Sequence, residues 1–374
     1  MTGAPELRDR AHIPALDGLR GIAILLVIPH NADTFSQSPG WLWPVALLAH
    51  AGWIGVQLFF VLSGFLITRN LLARRGADDY LRSFYGRRAL RIFPLYFLTL
   101  FAGLVVLPAL VTFSAGALSS HQNQIWLWTF LSNWAQPFGH EVSGYSHFWS
   151  LAVEEQFYLV WPFVVLLAAG TRLFWICVAV AVAALLSRTL MMIAGARPEM
   201  LYMFTNCRMD ALALGAAAAV LSQDAVVMQW TSRHIRPLML AVVGTLAIAG
   251  LSTHVFAVYD PGTLIAGQTL LAMAFAVVML GIARVPRDGP LGLIPRALET
   301  RWLRLVGRYS FAMYVFHLPL LIVFGHDMKR LAAGAGSAAP LVTSIVAVLL
   351  SFVAGLLSYH LIEKHFLKLK SALA

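Results

Sequence analysis

The chain alternates between long apolar runs and short polar connections. Runs of about 20 residues, the length that carries a helix across a bilayer, recur near 16–36, 53–73, 93–112, 148–168, 173–193, 207–223, 237–254, 263–283, 305–325 and 341–362. In hydrocarbon each backbone amide needs a partner within its own segment, so runs of this length are helices. The pattern predicts an all-α integral membrane protein of about ten transmembrane helices. Composition reinforces that reading: 59% of the 374 residues are hydrophobic and 12% are charged, about half the charged fraction of a soluble domain. No connection is long enough for a separate soluble unit, so residues 1–374 are read as one membrane domain.

Charge fixes the orientation. There are 27 Lys and Arg against 17 Asp and Glu, a net charge of +10. In a soluble protein such an excess suggests nucleic acid; here the basic residues cluster in a few short loops between apolar runs, and no nucleic-acid partner is expected. Loops 37–52, 113–147 and 255–262 carry no Lys or Arg, whereas 69–91 holds Arg69, Arg74, Arg75, Arg82, Arg87, Arg88 and Arg91, and 284–304 holds Arg284, Arg287, Arg296, Arg301 and Arg304. With both termini cytoplasmic, the basic residues left outside are Arg188, Arg197, Arg208, Lys329 and Arg330, which satisfies the positive-inside rule with an even number of spans. Arg8, Arg10 and Arg20 before the first run resemble a signal peptide, but no small-residue cleavage site follows, so that span is read as retained. Cys177 and Cys207, both near bilayer depth, suggest neither a disulfide framework nor a metal site. Trp126, Trp128 and Trp134 in the long loop 113–147 read as anchors on a short interfacial helix.

Polar groups at membrane depth are costly and therefore candidates for chemistry. Arg20 stands near the cytoplasmic end of the first span, and His30 lies ten residues, about 15 Å, further in. An imidazole titrating near neutrality is a natural base for an alcohol proton, although a buried histidine bonded to a neighbouring helix has the same appearance in sequence. The fourth span opens His147-Phe148-Trp149-Ser150 and continues to Glu154 and Glu155. Glu154 shares a helical face with Ser150, Tyr158 and Trp161, which predicts a polar interior, while Glu155 points elsewhere, toward the headgroups. Arg88 and Arg91 share a face at i,i+3, with Arg87 beside them; they suit either phosphate binding or topology determination. Ser310, Tyr314 and His317 form a second polar stripe in the ninth span. Arg208 and Asp210, opening the sixth span, read as a structural ion pair.

These segments, in this order, resemble the membrane-bound acyltransferase family 3. The resemblance is carried by Leu16-Asp17-Gly18-Leu19-Arg20-Gly21 leading to His30, by Gly55–Leu66, by Arg87-Arg88-Ala89-Leu90-Arg91-Ile92-Phe93-Pro94, by Trp149–Tyr158, by Asp210–Gly215 and by Tyr309–His317, and it spans nearly the whole chain. It implies an enzyme that takes an acyl group, commonly acetyl, from cytoplasmic acyl-CoA and passes it to a hydroxyl of an extracytoplasmic or lipid-linked carbohydrate, in the inner membrane of a bacterium. Acyl-CoA is then a co-substrate; no permanently bound cofactor and no metal is expected. The resemblance maps Arg20, His30 and Glu154 to catalysis and Arg88 and Arg91, with Arg87, to the donor site. Ser150, Tyr158, Tyr314, His317 and His147 are expected to line the acceptor path. Relatives usually place ten residues between the Arg and His of the first span; here nine intervene, and Pro29 is expected to restore the direction by a kink. Many relatives add an esterase-like extracytoplasmic domain, which is not expected here. The competing reading is a transporter or flippase for a sugar, lipid or drug, which explains the spans but not the arginines beside a buried histidine.

Overall fold

A computed structural model of the protein describes residues 13–35, 40–110, 123–142, 144–251, 257–282 and 292–369. Arg8, Arg10, Arg284, Arg287 and the first part of the long loop 113–147 lie outside these residues. Among the described residues the helices of eight or more residues are α1 Pro14–Ala32, α2 Trp43–His50, α3 Ile54–Ala73, α4 Tyr80–Phe101, α5 Phe148–Leu167, α6 Gly170–Ile193, α7 Thr205–Leu221, α8 Ala225–Leu251, α9 Gln268–Ile282, α10 Arg301–Ala332 and α11 Ala339–Ser358. No strand occurs among them.

Among the described residues, six helical stretches are long and apolar enough to cross a bilayer, or seven if the sharply bent pair Pro198–Leu221 and Ala225–His234 is taken as one span. One of the six, Arg301–Lys368, is two helices: α10 and α11 are joined through the short turn Ala333–Ala338, where Gly336 takes φ 55°, and they pack along each other. Helix α1 narrowly lacks the apolarity of a span because it carries Asp17, Arg20, His30 and Asn31. The surface supports a lipid environment: Leu159, Val160, Phe163 and Leu167 of α5, and Leu186, Leu190 and Ile193 of α6, are exposed, and a contiguous apolar face of this size requires cover.

Helix α1 is the hub. It packs against α3 and α10; α3 packs against α7, and α7 against α6 and α9. These contacts are close because glycines meet backbone. A Cβ on Gly307 would fall on the Asp17 carbonyl, and one on Gly215 would fall on the Val61 carbonyl, the small-residue packing by which membrane helices approach. Gly215→Val should therefore separate α3 from α7 and destabilise the fold by about 1–3 kcal/mol, read as a lowered thermal midpoint in detergent. An unchanged midpoint would show that this contact carries little of the packing.

One boundary departs strongly from the hydropathy reading. Helix α4 begins at Tyr80, not near residue 93, so Arg82, Arg87, Arg88 and Arg91 stand on a helix rather than in a loop. Arginine is a good helix former; the apolar pattern locates the lipid boundary, not the helix start. The turn before α4 is closed by Arg74, which donates to both carboxylate oxygens of Asp79 at 2.8 and 2.7 Å. That hydrogen bonding holds the Asp79 carboxyl below its usual range. The long-loop tryptophans pack on the protein: Trp128 stacks on Phe97 and Trp134 on Phe204, with centroids 6.0 and 4.5 Å apart.

Candidate active site

Five helices enclose a cavity of about 450 Å³. Helix α1 contributes Asp17 and Arg20, α3 contributes Ser63, Arg69 and Asn70, and α4 contributes Arg88 and Arg91. Ser150 and Glu154 come from α5, Ser310 and Tyr314 from α10, and apolar side chains such as Leu62, Leu66 and Phe311 fill the rest of the wall. Thus Arg20, Arg88, Arg91, Glu154, Ser150 and Tyr314, singled out from sequence, converge on one space from four helices.

Glu154 is the anchor of the polar wall. Ser63 Oγ donates to its Oε1 at 3.0 Å and Tyr158 Oη to its Oε2 at 2.7 Å, one turn along the same helix. The Arg88 guanidinium lies 3.6 Å from Glu154 and 3.9 Å from Glu155, and 3.8 Å over the Tyr158 ring. Glu155 is therefore not at the headgroups. Its side chain is 14% exposed and shares Arg88 with Glu154, because a long guanidinium reaches two carboxylates that face about 100° apart on their helix. Ser150 and Tyr314 hydroxyls meet at 2.5 Å, and Tyr314 Oη donates to the His147 carbonyl at 2.8 Å.

A second hollow, about 350 Å³, shares Asp17, Arg20 and Arg91 with the first and adds Arg304, Gly307 and Arg308. Four guanidiniums around one small volume, against the single carboxylate of Asp17, form a basic mouth whose charge suits an anion. Arg304 was counted in sequence only as a topology signal and Arg308 was passed over; neither position has a local pattern that separates it from the other loop arginines. Ser63, hidden in an apolar run, was also missed.

The remaining predicted residues lie off the cavity wall. Tyr158 stands behind Glu154, and Arg87 is not in the lining. His147 and His317 are buried beneath Tyr314 with ring centroids 4.5 Å apart, His317 Nδ1 lying 2.6 Å from the Tyr314 carbonyl. His30 also lies outside the lining: its Nδ1 is 3.1 Å from the Ala49 carbonyl. The reason is helical phase. Ten positions at about 100° each leave His30 roughly 80° from the face of Arg20, whereas eleven would return it to within about 20°. Pro29 sits inside a helix that runs unbroken to Ala32.

The expected Arg208–Asp210 pair does not form. Asp210 Oδ2 instead accepts from Arg188 Nη2 at 2.8 Å and from Thr269 at 2.6 Å, and Arg208 Nη2 bonds Gln57 Oε1. Residues two apart on a helix point about 200° away from each other, so the pairing inferred from proximity in sequence was sterically excluded. Arg188, read as an outer-side basic residue, is completely buried.

A family model described as an acyltransferase domain matches residues 13–360. The Bacillus subtilis protein YrhL is 30% identical over 393 residues, covering 96% of this chain and 55% of its own length. The peptidoglycan O-acetyltransferase OatA of Listeria monocytogenes is 28% identical, over 84% of this chain and 50% of its own. The O-acetyltransferase OatA of Staphylococcus aureus is 27% identical, over 94% and 57%. The chain thus spans about half the length of the curated relatives it matches. No solved structure matches it.

Proposed function

Because the chain belongs to the acyltransferase family whose model covers residues 13–360, we propose that it moves an acyl group, acetyl by default, from acyl-CoA on the cytoplasmic side to a hydroxyl of a cell-envelope carbohydrate. The observation that carries this reading is the basic double hollow. Arg20 and Arg91 line both parts, Arg304 and Arg308 line the outer part, and the apolar, serine- and tyrosine-bearing cavity lies beyond. A polyanionic carrier with an uncharged reactive tip has that distribution of chemistry.

In this reading the donor phosphates rest on Arg91, Arg304 and Arg308, and the thioester arm runs past Arg20 into the cavity. Glu154 holds Arg88 in place and keeps the cavity from carrying only positive charge. His30 is the base in this reading, which requires the thioester tip and the acceptor hydroxyl to extend past the cavity lining that His30 does not join; it takes the hydroxyl proton as the oxygen attacks the thioester carbon and the CoA thiolate leaves. If its Nδ1–H donates to the Ala49 carbonyl, Nε2 holds the lone pair that receives the proton. Arg20 or Tyr314 stabilises the oxyanion that develops. The topology we propose with it has ten spans and both termini cytoplasmic, in a bacterial inner membrane. The names of YrhL and of the Listeria OatA favour peptidoglycan as acceptor.

Purified protein given acetyl-CoA and a peptidoglycan oligosaccharide is expected to release CoA thiol and form an ester in equal amounts. Arg91→Gln is expected to raise the KM for acetyl-CoA about 10- to 100-fold, the worth of one or two charge-assisted hydrogen bonds, with a smaller change in kcat. Thiol release absent across a broad panel of hydroxyl acceptors, together with substrate flux through vesicles, would favour transport instead.

A further inference from the structure

The basic hollow borders the end of the last long helix. Helix α11 does not stop at Ser358: it runs on through a π-helical turn, Tyr359–Glu363, and a short helix, Lys364–Lys368. Both pieces pack against α4, the helix that carries Arg91. The wide turn leaves its mark in one contact. Ser358 Oγ donates to Glu363 Oε1 at 3.1 Å, five positions on, whereas residues five apart on an α-helix face about 140° away from each other. Glu363 also lies within electrostatic reach of Arg91. Turns of this kind are rare and recur at functional sites. Tyr359 opens the turn and meets Arg308 from α10. Its Oη accepts from Arg308 Nη2 at 2.6 Å, and the guanidinium carbon lies 4.8 Å from its ring centroid. The phenol is itself fixed in place: buried Tyr309, next to Arg308 on α10, meets its ring edge to face at 5.3 Å and that of Phe352 at 5.8 Å.

Tyr359 does not line the hollow, so its contact stands behind the arginine rather than inside the site. The choice of partner matters. Arg74, Arg88 and Arg188 are held by carboxylates, which offset the charge that they hold. A neutral phenol oxygen holds Arg308 and leaves its positive charge for an anion. Arg20, Arg91, Arg304 and Arg308 share one small volume and repel one another. Arg308 is exposed, on a long stem with many rotamers, so repulsion and entropy both favour turning it outward into water. We propose that Tyr359 is a positioning residue for the donor: by accepting from Arg308 on the wide turn after α11, it keeps that guanidinium at the basic hollow before the phosphates of acyl-CoA arrive. Preorganisation of this kind lowers the cost of binding and leaves the chemical step alone. The inference rests on the acyl-CoA reading and deepens it, naming a residue outside the hollow on which donor affinity depends.

Tyr359→Phe tests this, because it keeps the ring that packs on Tyr309 and removes only the oxygen. The variant is expected to show a KM for acetyl-CoA about fivefold above wild type, the worth of one exposed hydrogen bond to a charged group, with kcat within about twofold. CoA alone, titrated onto each purified protein by calorimetry, is expected to bind about fivefold more weakly to the variant. In an Arg308→Ala background the same substitution is expected to change neither constant, because the group that it positions is gone. A tyrosine with only a packing role would act alike in both backgrounds. Equal constants in wild type and Tyr359→Phe, or a loss that persists undiminished in the Arg308→Ala background, would overturn the inference and leave acyl transfer intact. Thiol release absent from wild type would instead count against acyl transfer, and the CoA titrations would still decide whether Tyr359 acts through Arg308. CoA that fails to bind wild type at all would overturn both.

Discussion

His30→Ala is expected to lower kcat by about 10²- to 10⁴-fold, the range that a positioned general base contributes, and to leave the KM for acetyl-CoA within about twofold. The split follows from geometry. The arginines that we assign to the donor line hollows in which His30 has no part, so removing the imidazole leaves donor binding untouched. The ring lies near the far end of α1, about 15 Å along the axis from Arg20, where its Nδ1 is 3.1 Å from the Ala49 carbonyl. Steady-state thiol release by purified protein measures both constants. A variant that turns over at the wild-type rate removes the base from His30 and moves attention to the groups on the cavity wall, Tyr314 and Glu154 first.

Glu154→Ala is expected to be the most damaging change for fold and activity together. The carboxylate is 13% exposed, accepts from Ser63 and Tyr158, and lies 3.6 Å from Arg88. Removing it strands two hydroxyl donors and leaves Arg88 with Glu155 alone, 3.9 Å away, and losing a largely buried partner in this way costs up to about 3–5 kcal/mol. Glu154→Gln restores an acceptor but not the charge, so it is expected to recover part of the thermal stability and little of the turnover. Thermal unfolding and thiol release on the same preparations separate the two effects. Full turnover in the glutamine variant would reduce Glu154 to a packing role.

Much of this site is legible in the sequence because it rests on helical phase. Ser150, Glu154 and Tyr158 fall one turn apart and share a face, so a polar wall on α5 could be read directly. Arg88 and Arg91, at i,i+3, do line the same cavity. Phase also explains the failures. The two-residue spacing of Arg208 and Asp210 forbids the pair that their opposite charges suggest, and only the packing of α6 against α7 shows Arg188 as the partner. Glu155 looked divergent because the reach of Arg88 from another helix is not encoded locally. The basic mouth was hidden for a different reason: Arg304 and Arg308 join Arg20 and Arg91 only because α1 and α10 approach at Gly21 and Gly307. The ten-residue step from Arg20 to His30 was legible as a phase error, and its consequence is a histidine outside the cavity lining.

The most direct measurement of acyl transfer across the membrane uses protein in sealed vesicles, with acetyl-CoA enclosed on one side and a peptidoglycan oligosaccharide on the other. One free thiol inside for each acetyl ester outside is the predicted result, lost when Arg91→Gln protein replaces wild type at low acetyl-CoA. Ester formed only when both substrates share a compartment, or no ester at all while the oligosaccharide itself crosses, would contradict it.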